Sequence, residues 1–264
     1  MIRSIALAVL MIGILPLAAQ TDRAAVTGVI TDPTRAVVPG AKVSVKAEAT
    51  GIEYERLSMK SESSVQINGA IIAAAIKASD KPVIIIGHSK GGLDTIEALM
   101  ADRSLLPKVR GVITLQSPFF GSPLADYVNT YSFLNSFAVK LLLKMGGNKE
   151  SMLNLTEKDR KQYMADNAGA IAEITSAVPV VSVATFKDPV DGKWDTNLKP
   201  LRDKMFEHGI HSDGVVPVES AVLPGADIVK LEGFDHGVSV RPSNLIALDR
   251  VKFTKALLLT IFAK

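Results

Sequence analysis

A chain of 264 residues, 47% apolar and 22% charged, can bury one sizeable core and has room for a small appendage. Its 30 Lys and Arg nearly cancel its 27 Asp and Glu, and no basic run or aromatic–basic interleaving occurs, which argues against a nucleic-acid partner. The lack of cysteine excludes disulfides, cysteine nucleophiles, thiolate metal sites and lipoprotein attachment at an N-terminal cysteine.

The first 20 residues read as a secretory signal peptide. Arg3 supplies the positive start, Ile5 to Leu17 an apolar run broken by Gly13 and Pro16, and Ala18 and Ala19 the small residues before polar Gln20. That run is too short and interrupted for a membrane span, so a secreted or periplasmic location is expected. Residues 25–51 differ in pattern from the remainder of the chain. Val26, Val29 and Ile30 lead into the turn Thr31-Asp32-Pro33, a second turn ends at Pro39-Gly40, and Val43 and Val45 alternate with Lys42, Ser44 and Lys46 as in a half-exposed strand. The stretch VTGVITDPTRAVVPGAKVSVKAEATG resembles the opening third of a carboxypeptidase regulatory-like domain, a small β-sandwich. A hairpin over residues 26–47 is therefore expected, but a fragment this short cannot fold alone.

From Ser63 helices and strands alternate. Ile67 to Ala78 is helical in composition and ends at Asp80-Lys81-Pro82. Val83 to Ile86 is a β-branched run of the kind expected in a strand covered on both faces. A helix follows over Leu93 to Met100, then strands over Val109–Leu115, Val178–Ala184 and Ile228–Leu231, and a closing helix within Asn244–Phe262. Strands separated by helices imply a mostly parallel sheet. Between the second and third strands, residues 121–175 carry no strand signal. Leu134, Phe137, Leu141 and Met145 share one helical face, and Thr156 with Asp159 forms a capping-box pattern. The insertion reads either as a helical cap over a site or as an ordinary packing layer.

The strongest chemical signal is Gly87-His88-Ser89-Lys90-Gly91-Gly92, a G-x-S-x-G turn directly after a strand and directly before a helix. A nucleophilic serine needs such a sharp turn to hold its hydroxyl clear of the backbone. The strain calls for small neighbours, hence Gly87 and Gly91, and the Lys90 N–H together with the helix N-terminus faces developing negative charge. The base is expected later in the chain. His236 in GFDHG follows the last strand and is the choice, whereas His88, inside the turn, points away from Ser89. For the orienting acid, Asp213 in HSDGVVP is preferred, with Asp188, Asp191 and Asp195 as rivals and Asp235 facing elsewhere. His208, His211 and Asp213 read H-x-x-H-x-D, a spacing that matches no metal site.

Together GHSKGG, LQSPFFGSPLADYV, SDGVVPVES and GFDHG resemble, in order, the motifs of bacterial lipases and esterases of the α/β-hydrolase superfamily, over roughly residues 65–264 of a domain that spans 63–264. The resemblance implies a partial α/β-hydrolase fold: a mostly parallel sheet flanked by helices, with a helical cap over about 121–175. It implies Ser89 as nucleophile, His236 as base and Asp213 as acid, acting on a small-molecule or lipid ester through an acyl-enzyme, with no cofactor. The apolar face Leu134–Met145 fits an apolar acyl group and peripheral contact with lipid. The front strands that such enzymes place before the nucleophile, and the H-G or glycine-rich loop that supplies a second oxyanion donor, are not found upstream of Ser89. The chain therefore also reads as a hydrolase remnant serving as a non-catalytic binding protein, and an acyltransferase using the same three residues is a third reading.

Overall fold

The computed structural model describes residues 45–46, 53–57, 59, 63–125, 155–189, 198–241 and 248–263. The expected signal peptide, residues 26–44 of the expected hairpin and the helical face Leu134–Met145 lie outside the described residues. The chain divides into two units, Met1–Lys46 with Glu53–Glu55, and Ala47–Ile52 with Arg56–Lys264. In the first, β1 (Val45–Lys46) pairs antiparallel with β2 (Glu53–Tyr54), Val45 opposite Tyr54. Val45 and Lys46, at the end of the alternating stretch, are thus in a strand, and their partners lie downstream in the chain.

The second unit is built on four parallel strands, β3 (Val83–His88), β4 (Val109–Leu115), β5 (Val180–Phe186) and β6 (Asp227–Glu232), in the order β3-β4-β5-β6. Strand alternation puts successive residues on opposite faces, and in the central pair both faces are buried. Val112 and Val180 join one core with Ile72, Leu99 and Ile174, while Ile113, Val181 and Val183 join a second with Leu257 and Ile261. On the first face lie α1 (Val65–Ala78) and α2 (Lys90–Ala101), followed by a 3₁₀ segment (Arg103–Lys108) leading into β4. The Ser64 hydroxyl caps α1 by accepting from the Ile67 N–H at 3.2 Å, so the helix starts two residues before its apolar pattern. The second face is covered by α6 (Arg250–Phe262), whose Ile261 packs on Gly111.

The described half of the long insertion is a packing layer. It forms α3 (Glu157–Asp166) and α4 (Ala168–Ala177), and Met164, Ile171 and Ile174 are buried in the main core. The Thr156 hydroxyl caps α3, accepting from the Asp159 N–H at 3.2 Å and donating to the Asp159 carboxylate at 2.7 Å. Beyond β5 come α5 (Lys199–Phe206) and a short 3₁₀ turn (Val218–Ala221).

One sequence expectation is corrected. The run Val83–Ile86 is not covered on both faces, for Ile86 is 47% exposed. Among the described residues β3 is an edge strand with β4 as its neighbour, and the uniform β-branched composition reports burial only where a strand has cover on both faces. Among the described residues no helix is long and apolar enough to cross a membrane.

Candidate active site

The carboxyl ends of the four strands gather the candidate residues. β3 runs straight into α2, and Ser89 takes the whole turn at φ 54°, ψ −126°, a backbone conformation that non-glycine residues rarely occupy. Its N–H donates to the Leu115 carbonyl at 2.8 Å, which locks the turn against the end of β4. Gly87 is required as expected: a Cβ there would lie 2.6 Å from the Gly91 carbonyl oxygen. The steric expectation for Gly91 does not hold, because a Cβ at that position meets nothing within 4 Å. The tight position is Gly92, where a Cβ would sit 2.1 Å from the Ser117 hydroxyl and 3.3 Å from Thr114. The third glycine, not the second, lets α2 close onto β4.

Lys90 opens α2, placing its peptide at the positive end of the helix. Its ammonium turns back along the helix to Asp94 at 2.7 Å, and Asp94 also accepts from the Asn68 amide at 2.9 Å. Burial raises the Asp94 pKa, against the pull of the Lys90 hydrogen bond and charge.

His236 is fully buried in the turn after β6. Its Nε2 lies 3.0 Å from the Ser89 hydroxyl and its Nδ1 2.8 Å from Asp213 Oδ2. Asp213 is equally buried, and its other oxygen accepts from the N–H groups of Val215 at 2.9 Å and Val216 at 2.7 Å. It is therefore both a turn-making aspartate and the partner of His236. The three residues chosen from sequence are brought together in one hydrogen-bonded row. Of the rival acids, Asp188 holds His211 at 2.7 Å, Asp235 accepts from the Gly237 N–H at 3.0 Å, and Asp191 and Asp195 lie outside the described residues. Among the described residues no three or more His, Asp or Glu side chains gather as a metal cluster.

Two residues that sequence reasoning did not assign hold the His236 turn. His88 Nε2 lies 2.8 Å from the His236 carbonyl oxygen, so that nitrogen carries a proton and donates it, and the two rings stand 4.8 Å apart. Burial first, then the neighbouring His236, lowers the His88 pKa to about 4, so His88 is a neutral donor at ordinary pH. Gln116, fully buried after β4, bonds both flanks of the same turn. Its only sequence signal was membership of the LQSPFFGSP segment. Elsewhere on the surface a groove of about 400 Å³, lined by Phe120, Lys161, Met164, Ile171 and Gly225 among others, runs beside α3 and α4 and includes none of Ser89, Asp213 or His236.

A parallel sheet in sequential order, with a strand–serine–helix turn and a histidine after the last strand, defines a partial α/β-hydrolase fold. Residues 63–188 match the model of a family described as the PGAP1-like alpha/beta domain. Among solved structures the chain is similar to the mature form of the lipase BlEst2 of Bacillus licheniformis, with a TM-score of 0.62 and 23% identity over 82% of this chain and 81% of that one. It is similar also to the metagenomic carboxyl esterase MGS0156, with a TM-score of 0.60 and 22% identity, covering 78% of this chain and 64% of the esterase. The propeptide form of the Bacillus lipase aligns with a TM-score of 0.56 and 24% identity, over 72% of this chain and 41% of its own. No curated protein sequence matches significantly. The family match starts at residue 63 and gives no support to the resemblance of residues 25–51 to a carboxypeptidase regulatory-like domain.

Proposed function

We propose that the chain is a serine hydrolase cleaving carboxylic esters, with Ser89 as nucleophile. The observation that carries this reading is the row Ser89–His236–Asp213, joined at 3.0 and 2.8 Å with its histidine and aspartate buried. A serine hydroxyl is a poor nucleophile at neutral pH unless an adjacent base takes its proton, and that base works only if a third group fixes its tautomer. Here Asp213 accepts from Nδ1–H, which leaves Nε2 as the lone-pair nitrogen facing Ser89.

In the proposed reaction Ser89 Oγ adds to the ester carbonyl while its proton passes to His236 Nε2. The resulting oxyanion is met by the Lys90 N–H and the α2 N-terminus. Collapse expels the alcohol, which takes the proton back from His236, and leaves an acyl-Ser89 ester. Water then adds with His236 again as base, releasing the acid and restoring the serine. No cofactor enters this sequence. The likeness to a lipase and a carboxyl esterase supports small-molecule or lipid esters as substrates, and the N-terminal 20 residues support an exported protein.

The test is labelling of purified protein with a fluorophosphonate probe, beside Ser89→Ala and His236→Ala. Labelling that both substitutions abolish is the expected result. Folded wild-type protein that does not label overturns the proposal and returns the chain to the reading of a non-catalytic binding protein.

A further inference from the structure

We infer that Gln116 is a positioning residue for His236, pinning the turn that carries the histidine over the end of the sheet. The inference rests on the proposed hydrolase reading only for its effect on rate. The problem that Gln116 solves is one of distance. Neighbouring strands lie about 4.8 Å apart, so the end of β6 starts about 14 Å from Ser89 at the end of β3. The turn at 233–239 must therefore fold back across β5 and β4 to bring His236 within 3.0 Å of Ser89, and something must hold it there.

The holding group is the Gln116 amide. Its Nε2 donates to the Asp235 carbonyl at 2.8 Å and to the Thr185 hydroxyl, at the end of β5, at 2.5 Å. Its Oε1 accepts from the Ser239 hydroxyl at 2.5 Å. One side chain thus ties β4 to β5 and grips the turn on both sides of His236. The orientation of the amide is dictated by its partners, because a peptide carbonyl only accepts and Asp235 must therefore face the NH₂ end. Gln116 also sits at φ 54°, a positive φ that non-glycine residues rarely adopt and that Ser89 shares one strand away, with its N–H anchored to the Val183 carbonyl at 2.8 Å. Such strain in a non-glycine residue persists where surrounding contacts over-determine it and where the direction of the side chain matters. Apolar packing alone gives no reason for a fully buried glutamine here.

The test compares Gln116→Met, which keeps length and volume but removes the amide, with Gln116→Glu and Ser239→Ala. Two readouts are followed: the fluorophosphonate rate constant, and the low-field proton resonance of His236 Nδ1–H in its bond to Asp213. Gln116→Met is expected to lower the rate ten- to a hundredfold, the scale of a small misplacement of a reacting group, and to shift or broaden the resonance. Ser239→Ala is expected to move both in the same direction by less, and serves if the methionine variant does not fold. In Gln116→Glu a buried carboxylate opposes the Asp235 carbonyl, whereas its protonated form can donate again. Its rate relative to wild type at each pH is therefore expected to rise as pH falls, a profile that a merely structural role would not produce. A folded Gln116→Met protein labelling within twofold of wild type, with the resonance unmoved, overturns the inference. If wild-type protein does not label at all, the hydrolase proposal fails, and the resonance alone still decides the role of Gln116.

Discussion

The molecule contains two aspartate–histidine pairs that look alike on distance. Asp213 meets His236 at 2.8 Å, and Asp188 meets His211 at 2.7 Å, with the partners 23 positions apart in each case. Both pairs lie in the segments that leave the carboxyl ends of β5 and β6. Their surroundings separate them. The side chains of His236 and Asp213 are each 1% exposed, whereas those of His211 and Asp188 are 52% and 37% exposed. Asp213 has two backbone N–H groups fixing its second oxygen, and His236 has a serine on its far nitrogen. His211 stands edge-on to Phe186 and Phe206, a packing contact. A short bond between an acid and a base is thus common property; what separates the two pairs is that one is buried and has its remaining polar atoms committed to further partners.

The largest expected effect breaks the symmetry of the two pairs. Asp213→Asn keeps size and burial but reverses the demand on Nδ1, favouring the tautomer whose proton faces Ser89. A loss of about 10³- to 10⁴-fold in fluorophosphonate or ester turnover is expected. The matched change Asp188→Asn is expected to leave turnover within twofold. Equal losses in the two variants would show that the buried pair has no special standing and would remove the basis for the proposed mechanism.

A third histidine sharpens the comparison through pH. His88 is held neutral by burial, with its pKa lowered from 6.5 to about 4. The unfolded chain therefore takes up a proton between pH 6.5 and 4 that the folded chain refuses, so stability is full above 6.5 and falls as pH drops through that window. The size of the loss is on the order of 3 kcal/mol. Urea unfolding of wild type and of His88→Gln, which retains a donor for the His236 carbonyl, is expected to diverge across this range, with the variant showing the flatter profile. Parallel profiles would remove His88 as the titrating group.

How much of this is legible in the sequence depends on whether a residue's role is local. The strand–turn–helix around Ser89 is written in six consecutive residues, and Val109–Leu115 is bounded to the residue because buried apolar residues stand at both of its ends, with Arg110 as its one exposed position. The placing of Asp213 and His236 follows from chain order and from where loops leave a parallel sheet. Gln116 and His88 escape assignment, since their partners are 119 and 148 positions away and both are reached through peptide carbonyls, which have no residue type to read. The cover over β3 is misjudged for a related reason: composition reports what a strand can bury, and only topology reports that β3 lies at an edge.

Gly91 and Gly92 offer the same contrast on a smaller scale, adjacent and identical in sequence but unlike in space. Gly92→Ala forces a methyl group against Ser117 and is expected to cost about 1 to 3 kcal/mol as overpacking. Gly91→Ala enters open space in the first turn of α2 and is expected to be neutral or to stabilise by up to about 1 kcal/mol. Thermal melts of the two variants decide the matter. A reversed order would mean that the second glycine is needed for a reason other than packing.

The smallest effect is expected where the two acid–base pairs are most alike. His211→Ala removes a partner from a carboxylate that is already more than a third exposed, so water replaces the lost bond and the cost of breaking the pair is below about 1 kcal/mol. What remains is the loss of ring contacts with Phe186 and Phe206, on the order of 1 kcal/mol. Because the His211 carbonyl accepts the Val218 N–H at 3.0 Å through the backbone, the alanine retains the anchor that keeps the neighbouring Asp213 turn in register. Turnover is therefore expected to stay within twofold while stability falls slightly, as activity assays and thermal melts of His211→Ala beside wild type would read. A drop in turnover comparable with that of Asp213→Asn would show that the exposed pair, through its hold on the segment bearing Asp213, belongs to the working machinery after all.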